Sequence, residues 1–128
     1  MGLFQKRSTL YVLIRRDCFE LRLLDPSRTQ VARSLEGFSS TRLLIGGFSE
    51  ALRTLEQGVS DLQSSASVQL RGADLLLHPL ELVEGGLCEV EERVLRDLVV
   101  GLGPRGVVIW LGPELGDAEV REKLRQGG

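Results

Sequence analysis

Between Glu89 and Leu111 an amphipathic helical pattern meets a Gly-Pro stop and then an unbroken apolar run. Val90, Val94, Leu95, Leu98, Val99 and Leu102 recur at steps of one, three and four, which lines one face of a helix. Gly103-Pro104 ends that helix, since proline has no N–H to extend the helical ladder. Gly106–Leu111 (GVVIWL) then reads as a buried strand. A one-sided helix and a strand apolar on both faces are satisfied together when helices are layered on a sheet, which points to an α/β architecture. On the outer helix face, Glu89–Arg93 and Glu92–Arg96 fall at i,i+4, a spacing at which opposite charges add about 0.2–0.5 kcal/mol each.

The first third of the chain carries strand patterns. Leu10–Asp25 (LYVLIRRDCFELRLLD) holds two apolar runs broken at Arg15-Arg16-Asp17. Leu10, Val12 and Ile14 take one side of the first run and Tyr11 and Leu13 the other, so that strand is predicted to be buried on both faces. In the second run Phe19, Leu21 and Leu23 alternate with Glu20 and Arg22, the pattern of a strand with one wet face. Asp25-Pro26-Ser27-Arg28 is a turn signal, and residues 30–35 are predicted as a third strand. Thr41–Ile45 (TRLLI) reads as a fourth strand ended by Gly46-Gly47. Ser49 is expected to cap a helix striped by Ala51, Leu52 and Leu55 and stopped at Gly58. The serine-rich residues 59–67 are expected to form a surface loop. Ala73–Leu77 is a further strand ending at His78-Pro79, and Asp117 is expected to cap a last helix with Val120 and Leu124 inward. The resulting order, β-β-β-β-α-β-α-β-α, predicts an α/β fold: a mixed sheet with an antiparallel N-terminal portion and about three helices.

A chain of 128 residues suits one domain, 1–128, with residues 1–8 expected to be a flexible leader. The net charge of −2 and the scattered basic residues argue against nucleic acid as a partner, which calls for a clustered Lys/Arg surface. Cys18 and Cys88 form no CxxC pair and His78 is the one histidine, short of the roughly four ligands of a structural zinc site. Neither metal nor cofactor is expected. The two thiols are read as free and buried, with a disulfide between them as the alternative. MGLFQKRS lacks a secretory apolar core and carries Lys6 where a myristoylation signal has Ser or Thr. A cytoplasmic location is therefore expected, with at most weak membrane contact through Leu3-Phe4.

The run from Leu75 to Val120 resembles the first, RNase H-like subdomain of actin-like ATPases, most closely the rod-shape-determining MreB family of bacterial actins. The resemblance rests on LLLHPLELVEGGL, then the helix start Cys88-Glu89-Val90-Glu91-Glu92-Arg93-Val94-Leu95-Arg96, then GLGPRG and VVIWLG, with a weaker likeness at Leu44-Ile45-Gly46. It implies an RNase H-like fold. The family also places a glycine-bearing Asp-x-Gly-Thr loop between its first two strands, where backbone N–H groups approach the phosphates. Here Arg15-Arg16-Asp17-Cys18-Phe19 stands in that position without a glycine, and a Cβ obstructs such an approach.

By the resemblance, Glu91 corresponds to the family's carboxylate beside the hydrolytic water. Without a phosphate cradle it is read as a first-turn carboxylate favoured by the helix dipole, so no catalytic residue is assigned. Cys88 at the helix start could be activated there, although an inert thiol is the plainer reading. His78 is expected to bond backbone at a strand end, Arg15 and Arg16 to form a solvated tip, and Gly46-Gly47 to make a strand-to-helix turn. Phe48 and Trp110 are the candidate interface residues. The function expected is a non-enzymatic module, without nucleotide loops, that docks to a protein partner or to itself, linked to bacterial cell shape or envelope assembly. The alternative is part of a split ATPase or switch completed by another chain, and a redox role for Cys88 is a third.

Overall fold

The computed structural model describes residues 7–127, so most of the expected leader lies outside the described residues. Strands β1 (Thr9–Arg15), β2 (Cys18–Leu23) and β3 (Arg28–Arg33) form an antiparallel meander. Helix α1 (Phe48–Ala66), β4 (Asp74–Pro79), α2 (Glu89–Val99), a 3₁₀ turn (Val100–Leu102), β5 (Gly106–Ile109) and α3 (Asp117–Gly127) follow. All five strands join one sheet in the order β3-β2-β1-β4-β5. β4 pairs parallel to both β1 and β5, so β2 alone runs against the other four. This is the expected α/β fold, a mixed sheet with an antiparallel N-terminal portion and three helices.

Side-chain alternation on β1 explains its central place. Leu10, Val12 and Ile14 face the same side as Phe19, Leu21 and Leu23 of β2 and Leu75 and Leu77 of β4, and α1 and α2 close over them. Tyr11 and Leu13 face the other side with Leu76, where α3 contributes Val120 and the segment before it contributes Leu115. A strand buried on both faces is therefore the middle strand, as its unbroken apolar sequence requires. β5 differs from its expected full burial: each of its residues is half-buried, because it lies at the sheet edge.

Two sequence expectations fail for identifiable reasons. Residues 59–66 are not a loop but the second half of α1, which passes straight through Gly58. A Cβ on Gly58 would lie 2.8 Å from the Cβ of Ala32 and 3.2 Å from Leu21 Cδ1, so this glycine permits close approach to β2 and β3 rather than ending the helix. Residues 41–45 form no strand. Their polar groups are met locally instead: Ser40 N donates to Leu43 O, Leu43 N to Ser40 Oγ, Ser39 Oγ to Leu44 O, and Gly46 N and Gly47 N both to Phe38 O. The helix cap is then Gly47, not Ser49.

Smaller differences follow from contacts. β3 covers 28–33 rather than 30–35, β4 continues through His78-Pro79, and α3 begins with Asp117 as a helical residue. On α2, Arg93 lies 3.9 Å from Asp97 and Arg96 donates to Val107 O, in place of the expected pairs with Glu89 and Glu92. Ser8, inside the expected leader, already continues the central ladder through its carbonyl, which accepts from Asp74 N.

Candidate functional site

The β1–β2 turn decides what can approach the hairpin. Asp17 adopts φ 57°, a conformation that Asp tolerates better than most residues, and its carboxylate turns back over the tip. Asp17 Oδ1 accepts from Phe38 N at 2.8 Å and Ser39 N at 2.7 Å, while Asp17 N donates to Ser39 Oγ at 3.0 Å. Phe38 is fully buried and stacks on Phe19 with ring centroids 4.9 Å apart. The segment 37–47 thus closes over the side of the hairpin tip. Arg16 is exposed, as expected of a solvated tip, and is also held: its backbone N donates to Glu81 and its guanidinium to Ser40 O at 2.9 Å.

Arg15 belongs to an ionic cluster on the face not covered by α1. It lies 2.7 Å from Glu20, which also meets Arg22 at 2.7 Å, and Arg22 reaches Glu114 at 2.8 Å. Burial works against the charged form of Glu20, yet the Arg22 and Arg15 guanidiniums outweigh it and hold this carboxyl below its ordinary range. The depression beside the cluster, lined by Arg15, Arg16, Arg33, Glu20 and Glu81, therefore carries its own counter-charges.

Next to the cluster lies a buried polar chain. His78 Nε2 is 2.9 Å from Gly112 O, which can only accept, so the proton sits on Nε2. Nδ1 of the neutral ring then accepts from the Tyr11 hydroxyl at 2.6 Å, and that hydroxyl accepts from Leu115 N at 3.0 Å. Burial pushes the His78 pKa below 6.5, against the opposing pull of Gly112 O. Burial likewise raises Tyr11 above 10.0. Each named polar atom has a partner, and the pair holds the segment after β5 against the sheet. His78 bonds backbone as expected, but from inside β4.

Glu91 is also committed. Its Oε1 accepts from Cys88 N at 3.0 Å, and together with Cys88 it forms a capping box at the start of α2. A Glu91 carboxylate in this role stabilises a helix end. Cys18 is a buried free thiol, whereas Cys88 is free and exposed, which corrects its expected burial and removes the disulfide alternative. Among the described residues, no group of three His, Cys, Asp or Glu side chains could hold a metal ion.

An apolar cleft lies between the 43–45 segment and α2. Leu44, Ile45, Pro79, Leu82, Leu87 and Val94 supply most of its wall, and Leu43 and Val90 stand at its mouth, 43% and 71% exposed. Its volume is about 70 Å³, well under the roughly 300–1,000 Å³ of small-molecule pockets. It can anchor a side chain, not enclose a nucleotide. Residues 81–97 around it hold six acidic residues against two arginines, in a chain whose total charge is only −2.

No family model matches this chain. It is 36% identical over 98 residues to the uncharacterized protein YjaA of Escherichia coli (strain K12), covering 73% of this chain and 76% of YjaA. The chain belongs to the YjaA family.

Of the interface candidates, Phe48 opens α1 and is 40% exposed. Trp110 is half-buried, its Nε1 donating to Pro113 O at 2.9 Å and Lys123 lying 4.3 Å above its ring. Neither lines the cleft. Sequence reasoning missed Tyr11, which it counted only as apolar, and Asp17, which it read only as part of the break between two strands. A single tyrosine in an otherwise aliphatic strand was the available signal for the first. Among the described residues, no helix is long and apolar enough to cross a membrane.

Proposed function

We propose that this chain is a non-enzymatic protein-interaction module, an actin-like, RNase H-like subdomain without nucleotide loops, acting in the bacterial cytoplasm. The strand order β3-β2-β1-β4-β5 with β2 alone reversed supports the RNase H-like reading. The 37–47 segment bound to the hairpin through Asp17, and the use of Glu91 as a helix cap, disfavour a nucleotide site there. A role in cell shape or envelope assembly rests on the sequence resemblance to MreB and is analogy.

One observation carries the interaction reading: the apolar cleft with Val90 and Leu43 exposed at its mouth and acidic residues around it. Its complement is a protein partner that presents a basic amphipathic helix, apolar side chains entering the cleft and Lys or Arg meeting Glu84, Glu89 and Glu92. A fluorescent Leu/Lys amphipathic peptide should bind saturably and weaken with salt, while a Leu/Glu peptide of the same pattern should not bind. Val90→Asp should reduce the Leu/Lys affinity by about tenfold or more, since it places a charge at the apolar mouth. Equal binding of both peptides, or no effect of Val90→Asp, refutes the proposal. Titration with Mg-ATP tests the alternative of a split ATPase, and saturable micromolar binding by this chain would favour it.

A further inference from the structure

A second cavity, sharing no residue with the cleft, opens at the N-terminal end of the parallel strands. Its volume, about 410 Å³, falls within the range of small-molecule sites. Thr9 of β1, Asp74 of β4 and Arg105 at the entry to β5 line it from the sheet, and Arg121 and Arg125 line it from α3. From this arrangement we infer that the cavity binds a small phosphorylated compound bearing free hydroxyls, of the sugar-phosphate class.

The charges carry the inference. Arg121 and Arg125 stand one helical turn apart on one face, where like charges repel unless an anion lies between them. Glu122 engages Arg125 at 2.5 Å, but among the described residues no carboxylate lies within 4.0 Å of Arg105 or Arg121. With Glu122 holding Arg125, the cavity still presents Arg105 and Arg121 against a single lining carboxylate, Asp74, in a protein of net negative charge. The guanidinium fork matches phosphate oxygens two at a time, and a phosphate monoester, with three acceptor oxygens and a charge of about −1.5 to −2, can engage both open arginines at once where a carboxylate has only two oxygens. Asp74 adds selectivity: it repels a bare anion but accepts hydrogen bonds from hydroxyl groups, and the Thr9 hydroxyl can do either. In the depression beside the hairpin, also rich in arginine, Glu20 holds Arg15 and the Arg16 guanidinium donates to Ser40 O, which leaves Arg33 alone open among the described residues.

Isothermal titration of the full chain with ribose 5-phosphate, inorganic phosphate and ribose tests the site. Ribose 5-phosphate should bind saturably, phosphate more weakly and ribose not at all. Arg105→Ala and Arg121→Ala should each weaken ribose 5-phosphate by about tenfold or more, as expected for loss of a charge-assisted contact. Arg93→Ala, exposed on α2 outside the cavity, should leave binding unchanged. Asp74→Asn should reduce the preference for ribose 5-phosphate over phosphate. No saturation by about 10 mM ribose 5-phosphate, or binding indifferent to both cavity arginines, overturns the site. Equal affinity for phosphate and ribose 5-phosphate overturns the assignment to hydroxyl-bearing compounds. Thermal melts of the variants, three at exposed arginines and one at half-buried Asp74, verify that each is folded.

Discussion

At the residue scale, the His78–Tyr11 pair makes a pH prediction with a definite sign. The folded protein holds His78 neutral, its pKa depressed below 6.5 by burial, with Glu114 pulling it up and Arg15 pushing it down. In the unfolded chain the same imidazole takes its proton near pH 6.5. Between those two values the unfolded state binds more protons, so stability is complete above about pH 6.5 and falls as pH drops below it. One such group contributes a slope of at most about 1.4 kcal/mol per pH unit. Urea midpoints measured from pH 7.5 to 5.0 should decline for the native protein and stay flatter for His78→Gln. Parallel curves would mean that His78 is not held neutral. Glu20 acts in a separate window, because its lowered carboxyl pKa removes stability only as pH falls below the ordinary carboxylate range near 4.5.

At the scale of elements, the sequence revealed the strands and helices whose pattern is local. The alternation in β1 and β2 gave the hairpin and its two faces, and the stripe from Val90 to Leu102 gave α2 with its Gly103 stop, where φ is 62°. What sequence reasoning lost was information held between elements. Gly58 looks like a helix stop until Ala32 lies against it, and then Ala51, Leu55, Gly58, Val59 and Leu62 form one continuous buried stripe. Thr41–Ile45 has the composition of a strand, but Ser39, Ser40 and Phe38 O satisfy its backbone first. The site was legible to the same extent. The lack of glycine at the hairpin tip could be read from Arg15-Arg16-Asp17, whereas the 37–47 cover needed Asp17 to meet amides 21 and 22 residues away. The reading of Gly58 is testable: Gly58→Val adds volume where 2.8 Å is available and should destabilise by about 1–3 kcal/mol, despite valine's better helix propensity. Stability equal to the native protein in urea titration would contradict close packing of α1 on β2 and β3.

At the scale of the molecule, the two sides of the sheet are held unequally. α1 buries six residues, Ala51, Thr54, Leu55, Gly58, Val59 and Leu62, and is continuous with the larger core. α3 buries Val120 alone, with Leu124 and Trp110 partly covered, so its attachment relies on the segment 110–116 that leads into it. That segment is tied down chiefly by polar contacts: Trp110 N to Leu77 O, Gly112 O to His78 and Leu115 N to Tyr11. Fewer buried apolar contacts mean a lower free energy of local opening. Native-state hydrogen exchange should therefore show α3 amides opening well before those of β1 and β4. Tyr11→Phe sharpens the test, because it leaves Leu115 N and His78 Nδ1 buried without their partner, at a cost of about 1–3 kcal/mol. If that hydroxyl fastens one layer of the fold, the loss should concentrate in residues 110–127 while α1 keeps most of its protection. Uniform loss across both helices would instead mean that α3 and the main core open as a single unit. The cavity lined by Arg105, Arg121 and Arg125 bridges α3 and the sheet, so a bound phosphate should slow α3 opening by mass action.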